Sequence, residues 1–135
     1  SMEPGEFENA IVRVFQDMAK TSMASHTIRP TRQVRDGGFD FEGEMELLPP
    51  LDYKIPVKGE VKRWNNSVGV KEVSRLVARL RRGEFGVFVT TSYFTKACQQ
   101  EVLHDGYPVE LVHGLRLVKM MRGVGLVRED TLELS

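Results

Sequence analysis

The chain has 135 residues, of which 41% are hydrophobic and 28% are charged, and its 19 basic and 19 acidic residues give a net charge of zero. This size and composition predict one globular domain over residues 1–135 and exclude a disordered chain. No apolar run approaches the roughly 20 residues that a membrane span needs, so we expect no membrane partner. The single cysteine, Cys98, excludes an internal disulfide, and a reducing cytoplasm is the expected compartment. The opening Ser1-Met2 is typical of an expression scar, so we expect a domain excised from a longer protein.

In the first half of the chain, the spacing of apolar residues changes from a helical period to a period of two. We predict a helix over 6–20, a polar loop over 21–31, and strands over 39–47 and 54–63 that are joined by a turn at 49–52. Phe39 and Phe41 share one face of the first strand, and acidic residues occupy the other. The second strand also alternates, with Lys54, Lys58 and Glu60 on its charged face. The two strands therefore form an antiparallel pair whose acidic and basic rows complement each other.

The second half alternates between strands and helices. We predict a helix over 69–82 with Ser67 as its N-cap, a strand over 86–91, a helix over 94–103, a strand over 108–112, and a helix over 114–121. Residues 122–135 add a strand or form a tail. The alternation indicates an α/β fold with helices flanking a mixed sheet that has a parallel part.

Basic residues are concentrated near the middle of this neutral chain. Residues 58–82 contain eight basic and two acidic residues. Such a concentration is typical of a surface that follows a phosphate backbone. A solvated, charged helix face gives much the same pattern, so the charge alone leaves both interpretations open.

Two carboxylates and one amine come together if the two charged strands are neighbours. Asp40 follows the Gly37-Gly38 bend, and Glu60 and Lys62 lie two residues apart on one face of the second strand. Carboxylate oxygens suit Mg²⁺ or Mn²⁺, and the backbone carbonyl of Val61 is a further candidate ligand. A bound cation activates water, and the Lys62 ammonium can orient that water against a phosphodiester. By themselves, however, three charges on an open hairpin face are more often ordinary surface groups.

Five motifs occur together and in a recognisable order. They are DGGFD (36–40), EVKRW (60–64), VGVKEV (68–73), GVFVTTSYFTKA (86–97) and PVELV (108–112). From residue 35 to residue 119 the chain resembles the Mrr-like restriction endonucleases of the PD-(D/E)XK nuclease superfamily. Many relatives carry Gln where this chain has Glu60; Glu is the commoner residue in the superfamily and supports metal binding.

The resemblance implies a role for each matching residue. Asp40 and Glu60 become the metal ligands and Lys62 becomes the catalytic lysine, with Mg²⁺ or Mn²⁺ as cofactor. Glu8 matches an acidic position that assists the metal in some superfamily members. The candidate DNA contacts are Lys71, Arg75, Arg79, Ser92 and Thr95. For Ser92 and Thr95, the alternative is capping of the following helix.

The implied function is metal-dependent hydrolysis of DNA by the catalytic module of a restriction or phage-defence protein. The expected partners are DNA and a fused specificity or motor domain. A homodimer would supply the two active sites that a double-strand break needs. Two alternatives remain: a DNA-binding or assembly module with lost catalysis, and a nuclease for RNA, single strands or branched junctions.

Overall fold

A computed structural model describes residues 4–21, 26–31, 38–46 and 53–123 of the chain. In chain order its elements are α1 (Pro4–Thr21), β1 (His26–Pro30), β2 (Phe41–Glu46), β3 (Lys54–Lys62), α2 (Val70–Arg79), β4 (Phe85–Thr90), α3 (Lys96–Asp105), β5 (Val109–Val112) and α4 (Gly114–Gly123). The predicted α/β class is confirmed. None of the described helices is long and apolar enough to cross a membrane.

The five strands form one mixed sheet in the order β1-β2-β3-β4-β5. β1, β2 and β3 are antiparallel neighbours, whereas β3, β4 and β5 run parallel. The predicted antiparallel pairing of the two charged strands is confirmed, with Glu42 opposite Lys58. The Lys58 ammonium lies 3.0 Å from the Glu42 carboxylate, so the two charged rows do meet across the strands.

Two apolar clusters cover the two faces of the sheet and give a three-layer core. On one face, Ile11 of α1 and Leu117 of α4 pack against Phe41 and other buried strand residues. On the other face, residues of α2 and α3 pack against Phe88 of β4. β4 is buried on both faces, as its continuous apolar run predicts.

Strand β1 is the main difference from the predicted elements. The loop predicted for residues 21–31 is wrong where His26–Pro30 pair with β2. This polar segment has no strand-like alternation, and its ladder depends on the neighbouring strand. Pro30 is its last residue, at the edge of the sheet, where proline is tolerated.

The backbone bends at Asp40 and breaks the predicted alternation of β2. The prediction that Phe39 and Phe41 share a face is wrong. Phe41 lies in the cluster beneath α1, whereas Phe39 packs in the opposite cluster with Trp64 and Val70. β2 begins at Phe41, so the period of two does not extend back through the bend. Gly37, predicted to help form this bend, lies outside the described residues.

Helix α2 starts and stops at positions that differ from the predicted ones. Its N-cap is Gly69, whose N–H donates to the Glu72 carboxylate at 3.1 Å, so the prediction of Ser67 as the cap is wrong. The helix ends at Arg79 instead of residue 82, and a turn follows in which Gly83 has φ +84°. At the other end of the chain α4 continues to Gly123, and residues 124–135 lie outside the described part.

Candidate active site

A cleft of about 430 Å³ lies between the carboxyl-terminal half of β3 and helix α2. It is lined by Glu60, Lys62, Trp64, Glu72, Arg75, Ala78 and Arg79. A larger cleft of about 960 Å³ lies beside the junction of β4 and α3, but no carboxylate, lysine or arginine of the described part of the chain lines it. The smaller cleft is therefore the better candidate for phosphodiester chemistry.

Glu60 and Lys62 project into this cleft from the same face of β3, as their spacing predicts. The Lys62 ammonium lies 3.9 Å from Oε2 of Glu60 and 5.2 Å from the centre of the Trp64 ring. The Glu60 side chain is 18% exposed and that of Lys62 is 35% exposed. The amine is thus held between a carboxylate and an aromatic face, yet it still reaches solvent.

Asp40 is attached to β3 by two hydrogen bonds. Its backbone N–H donates to the Gly59 carbonyl at 2.8 Å. Its carboxylate Oδ2 accepts a 2.7 Å hydrogen bond from the N–H of Val61, which belongs to the peptide group joining Glu60 to Val61. The bend that separates Phe39 from β2 therefore brings the Asp40 carboxylate beside the backbone of Glu60.

The Val61 carbonyl lies on the same side of β3 as Asp40. The N–H and C=O of one strand residue point toward the same neighbouring strand, and the Val61 N–H points toward Asp40. The Val61 side chain is buried in the cluster beneath α1, as predicted. The Val61 carbonyl therefore points to the side on which a metal ion bound by the Asp40 carboxylate would lie.

Glu8 of α1 lies close enough to Asp40 for the charge of Asp40 to affect the ionisation of Glu8. Partial burial and, secondly, the negative charge of Asp40 raise the pKa of Glu8 above its ordinary value. Within residues 4–21, 26–31, 38–46 and 53–123, however, no three His, Cys, Asp or Glu side chains are grouped as a metal site would require. Glu8 thus faces the Asp40 end of the site without completing a cluster of three carboxylates.

The donor set around Asp40 and Glu60 is compatible with Mg²⁺ or Mn²⁺. It consists of carboxylate and carbonyl oxygens, which are the ligands that these hard cations prefer. Mg²⁺ keeps several of its waters and is commonly held by one or two carboxylates together with substrate phosphates. Two protein carboxylates are therefore enough, and a third is not needed.

The three basic residues predicted to follow DNA have different surroundings. Lys71 and Arg75 are exposed on α2, and Arg75 also lines the cleft. Arg79 instead turns into the site, where its Nη2 donates to Oε1 of Glu60. This contact was not predicted from the sequence. A signal was present, because Arg79 follows the buried Leu76 by three residues and so borders the packed face of α2.

The two hydroxyl residues near α3 are both occupied or buried. Thr95 is the N-cap of α3, and its Oγ1 accepts the Cys98 N–H at 3.1 Å, which confirms the capping alternative for Thr95. The Ser92 hydroxyl is buried and has no hydrogen-bond partner among the residues that the structure describes. The buried Ser92 hydroxyl is not presented to DNA, whereas Thr95 keeps its O–H as a donor, so a phosphate contact by Thr95 stays a prediction.

Replacing Thr95 by alanine should lower the free energy of unfolding by about 1 kcal/mol, because the Cys98 N–H loses its acceptor. Thr95→Ser keeps the oxygen and should retain most of the stability. Urea denaturation of the three proteins measures both effects, with DNA affinity of the folded proteins measured in parallel. Weaker DNA binding by a Thr95→Ala protein of unchanged stability would instead indicate a phosphate contact.

The fold and the cleft define a class of protein: an α/β domain with one carboxylate from the bend before β2, another from β3, and a lysine two residues beyond the second, as in PD-(D/E)XK nucleases. A family model, Mrr_cat, described as a restriction endonuclease, matches residues 1–121. The chain belongs to this restriction endonuclease family, which confirms the family predicted from its motifs.

Two solved structures are similar to this chain. The MspJI restriction endonuclease, solved in complex with a 27-mer oligonucleotide, is 32% identical, with a TM-score of 0.75 over 96% of this chain and 30% of that one. AspBHI, a DNA modification-dependent restriction endonuclease, is 33% identical, with a TM-score of 0.66 over 98% of this chain and 38% of that one. The chain thus spans about a third of the length of each. No curated protein matched it.

Proposed function

We propose that this domain hydrolyses phosphodiester bonds in DNA with Mg²⁺ or Mn²⁺, as the catalytic module of a restriction or phage-defence protein. One observation carries the proposal: the Val61 N–H donates a hydrogen bond to the Asp40 carboxylate, which brings that carboxylate beside Glu60. Lys62 lies next to Glu60 in the same cleft. Membership of the restriction endonuclease family supports the same activity.

In the proposed mechanism, Asp40, Glu60 and the Val61 carbonyl would hold the divalent ion. When bound, such an ion lowers the pKa of a coordinated water and offsets negative charge on a phosphoryl oxygen. The Lys62 ammonium donates a hydrogen bond to the attacking water and then to the phosphoryl oxygen on which charge accumulates. Its contacts with Glu60 and Trp64 hold the amine at this end of the cleft.

DNA would reach the cleft along the exposed face of α2. Arg75 lines the cleft and Lys71 lies one turn earlier, so the two side chains can neutralise successive phosphates of one strand. Backbone contacts of this kind position the duplex but carry little sequence information. We therefore assign sequence or modification recognition to a fused domain. Because a double-strand break needs two active sites, we assign the cutting of both strands to a homodimer. The cytoplasm is the proposed compartment.

Cleavage in Mg²⁺ and its loss in EDTA are the expected results when the protein is incubated with a panel of nucleic acids. The panel contains supercoiled, single-stranded and branched DNA as well as RNA. It also contains methylated DNA, because AspBHI is described as modification-dependent. Asp40→Asn should reduce the cleavage rate by more than about 100-fold through loss of a ligand. Gel electrophoresis of the products measures each rate.

Asp105→Asn is the matched control, because Asp105 is an exposed carboxylate at the end of α3. It should cleave like the wild type. Cutting that persists equally in Asp40→Asn would show that a contaminating nuclease is responsible. Binding of DNA without cleavage of any substrate would favour the assembly-module alternative, and cleavage restricted to RNA or junctions would favour the other one.

A further inference from the structure

Arg79 makes several contacts inside the candidate site that the sequence did not predict. Its Nη2 donates to Oε1 of Glu60, and its Nη1 donates to the Gly38 carbonyl at 3.3 Å. Its Nε donates to the Arg75 carbonyl at 3.3 Å within α2, and its guanidinium lies 4.9 Å from the centre of the Phe39 ring. All three nitrogens of the guanidinium therefore donate hydrogen bonds, and the group also lies over an aromatic ring.

These contacts connect the two segments that carry the carboxylates. Gly38 lies two residues before Asp40, in the segment that bends into β2, whereas Glu60 lies in β3. Because the guanidinium is planar and has several donors, one arginine can bridge a carbonyl and a carboxylate at once. A lysine, with a single ammonium on a flexible stem, cannot reproduce that geometry.

The bridge also distinguishes the two oxygens of Glu60. Oε1 is engaged by Arg79, whereas Oε2 lies on the side of the Lys62 ammonium, 3.9 Å away. A carboxylate that binds a metal is generally oriented by hydrogen bonds to groups around it, and loss of such a partner weakens metal binding or activity. Arg79 is placed to supply this orientation.

We propose that Arg79 is a positioning residue of the metal site: it holds Oε1 of Glu60 and the Gly38 carbonyl, and thereby directs Oε2 of Glu60 and the Asp40 segment toward one divalent cation. This inference rests on the proposed function. It assigns Arg79 to the organisation of the site, whereas the sequence had suggested a phosphate contact. The two roles differ in what they predict when no DNA is present.

Mn²⁺ binding in the absence of DNA tests the inference, measured by electron paramagnetic resonance and calorimetry. Arg79→Ala should weaken Mn²⁺ binding by about 10- to 100-fold. Arg79→Lys should fall between Arg79→Ala and the wild type, because it keeps the charge and loses the bridge. Arg82→Ala removes the same charge from the exposed turn after α2 and should bind Mn²⁺ like the wild type.

A second readout separates positioning from catalysis. Raising the Mg²⁺ concentration should restore part of the cleavage rate of Arg79→Ala, because the variant loses affinity for the ion and keeps Lys62. Circular dichroism establishes that each variant is folded. If Arg79→Ala does not fold, Arg79→Lys carries the test, with a loss of Mn²⁺ affinity still expected.

Asp40→Asn separates failure of this inference from failure of the proposed function. If Asp40→Asn loses Mn²⁺ binding while Arg79→Ala binds as tightly as the wild type or more tightly, the metal site stands and the positioning role is refuted. In the case of tighter binding, Arg79 would be a competitor of the ion. If Asp40→Asn binds Mn²⁺ like the wild type, the proposed site itself is wrong, and the inference fails with it.

Discussion

Replacing Lys62 by alanine is expected to reduce DNA cleavage by about 100- to 1,000-fold, the range that one hydrogen-bond donor to a developing oxyanion contributes. The ammonium lies beside Glu60 at the wall of the cleft, where it can contact both the attacking water and a phosphoryl oxygen. The side chain is partly exposed, so its loss leaves no cavity in the core. Folding and DNA binding should therefore be retained. Single-turnover cleavage and fluorescence anisotropy measure the two properties separately.

Lys54→Ala is the matched control for Lys62→Ala. Lys54 is exposed at the start of the same strand and has the parity of Lys62, but it lies outside the cleft. Its removal should leave the cleavage rate within about threefold of the wild type. Equal loss in both variants would mean that general electrostatic attraction, and not a local role of Lys62, determines the rate. Unchanged cleavage by Lys62→Ala would refute the mechanism proposed for the amine.

Replacing Gly59 by alanine is expected to destabilise the fold by about 1–3 kcal/mol or more, as overpacking of a core does. Gly59 is directly opposite Phe41 in the β2–β3 ladder, and a methyl group at Gly59 would overlap the Phe41 ring. That ring is fully buried beneath α1 and stacks on Phe15 at a centroid distance of 5.3 Å, so it cannot move aside freely. Thermal and urea denaturation measure the loss.

Two further proteins test the cause of that loss. Phe41→Leu in the Gly59→Ala background removes the ring and should recover part of the stability beyond what the single changes predict. Gly5→Ala, in the first turn of α1, places a methyl group in open space and should be neutral or slightly stabilising. If Gly59→Ala and Gly5→Ala have equal stability, steric overlap with Phe41 does not determine the effect.

Gly59 also connects this packing to the site. Its carbonyl accepts the Asp40 N–H at 2.8 Å, so a shift of β3 away from Phe41 would move the Asp40 carboxylate. We therefore expect any folded fraction of Gly59→Ala to cleave DNA more slowly than the wild type. Titrating Mg²⁺ against the cleavage rate would show whether the ion binds less tightly.

The sequence by itself determined the class of fold and the face on which Glu60 and Lys62 lie. A strand has a period of two, so two residues at that spacing must project together from it, whatever surrounds them. The continuous apolar run of β4 likewise predicts burial on both faces, and the period of two in β2 and β3 predicts their charged rows. The family was predicted from five motifs that occur together in one order along the chain, which is more specific than any one motif.

Only the tertiary structure decided how the elements meet. The bend at Asp40, the separation of Phe39 from Phe41, and the contact of Arg79 with Glu60 each join segments distant in the chain. β1 is similar, because its strand exists through its pairing with β2. Periodicity records which side chains share a face within one element, but the partner of that face depends on packing across the whole sheet. For that reason the sequence predicted Arg79 as a DNA contact, and only the packing of α2 over the sheet revealed its contact with Glu60.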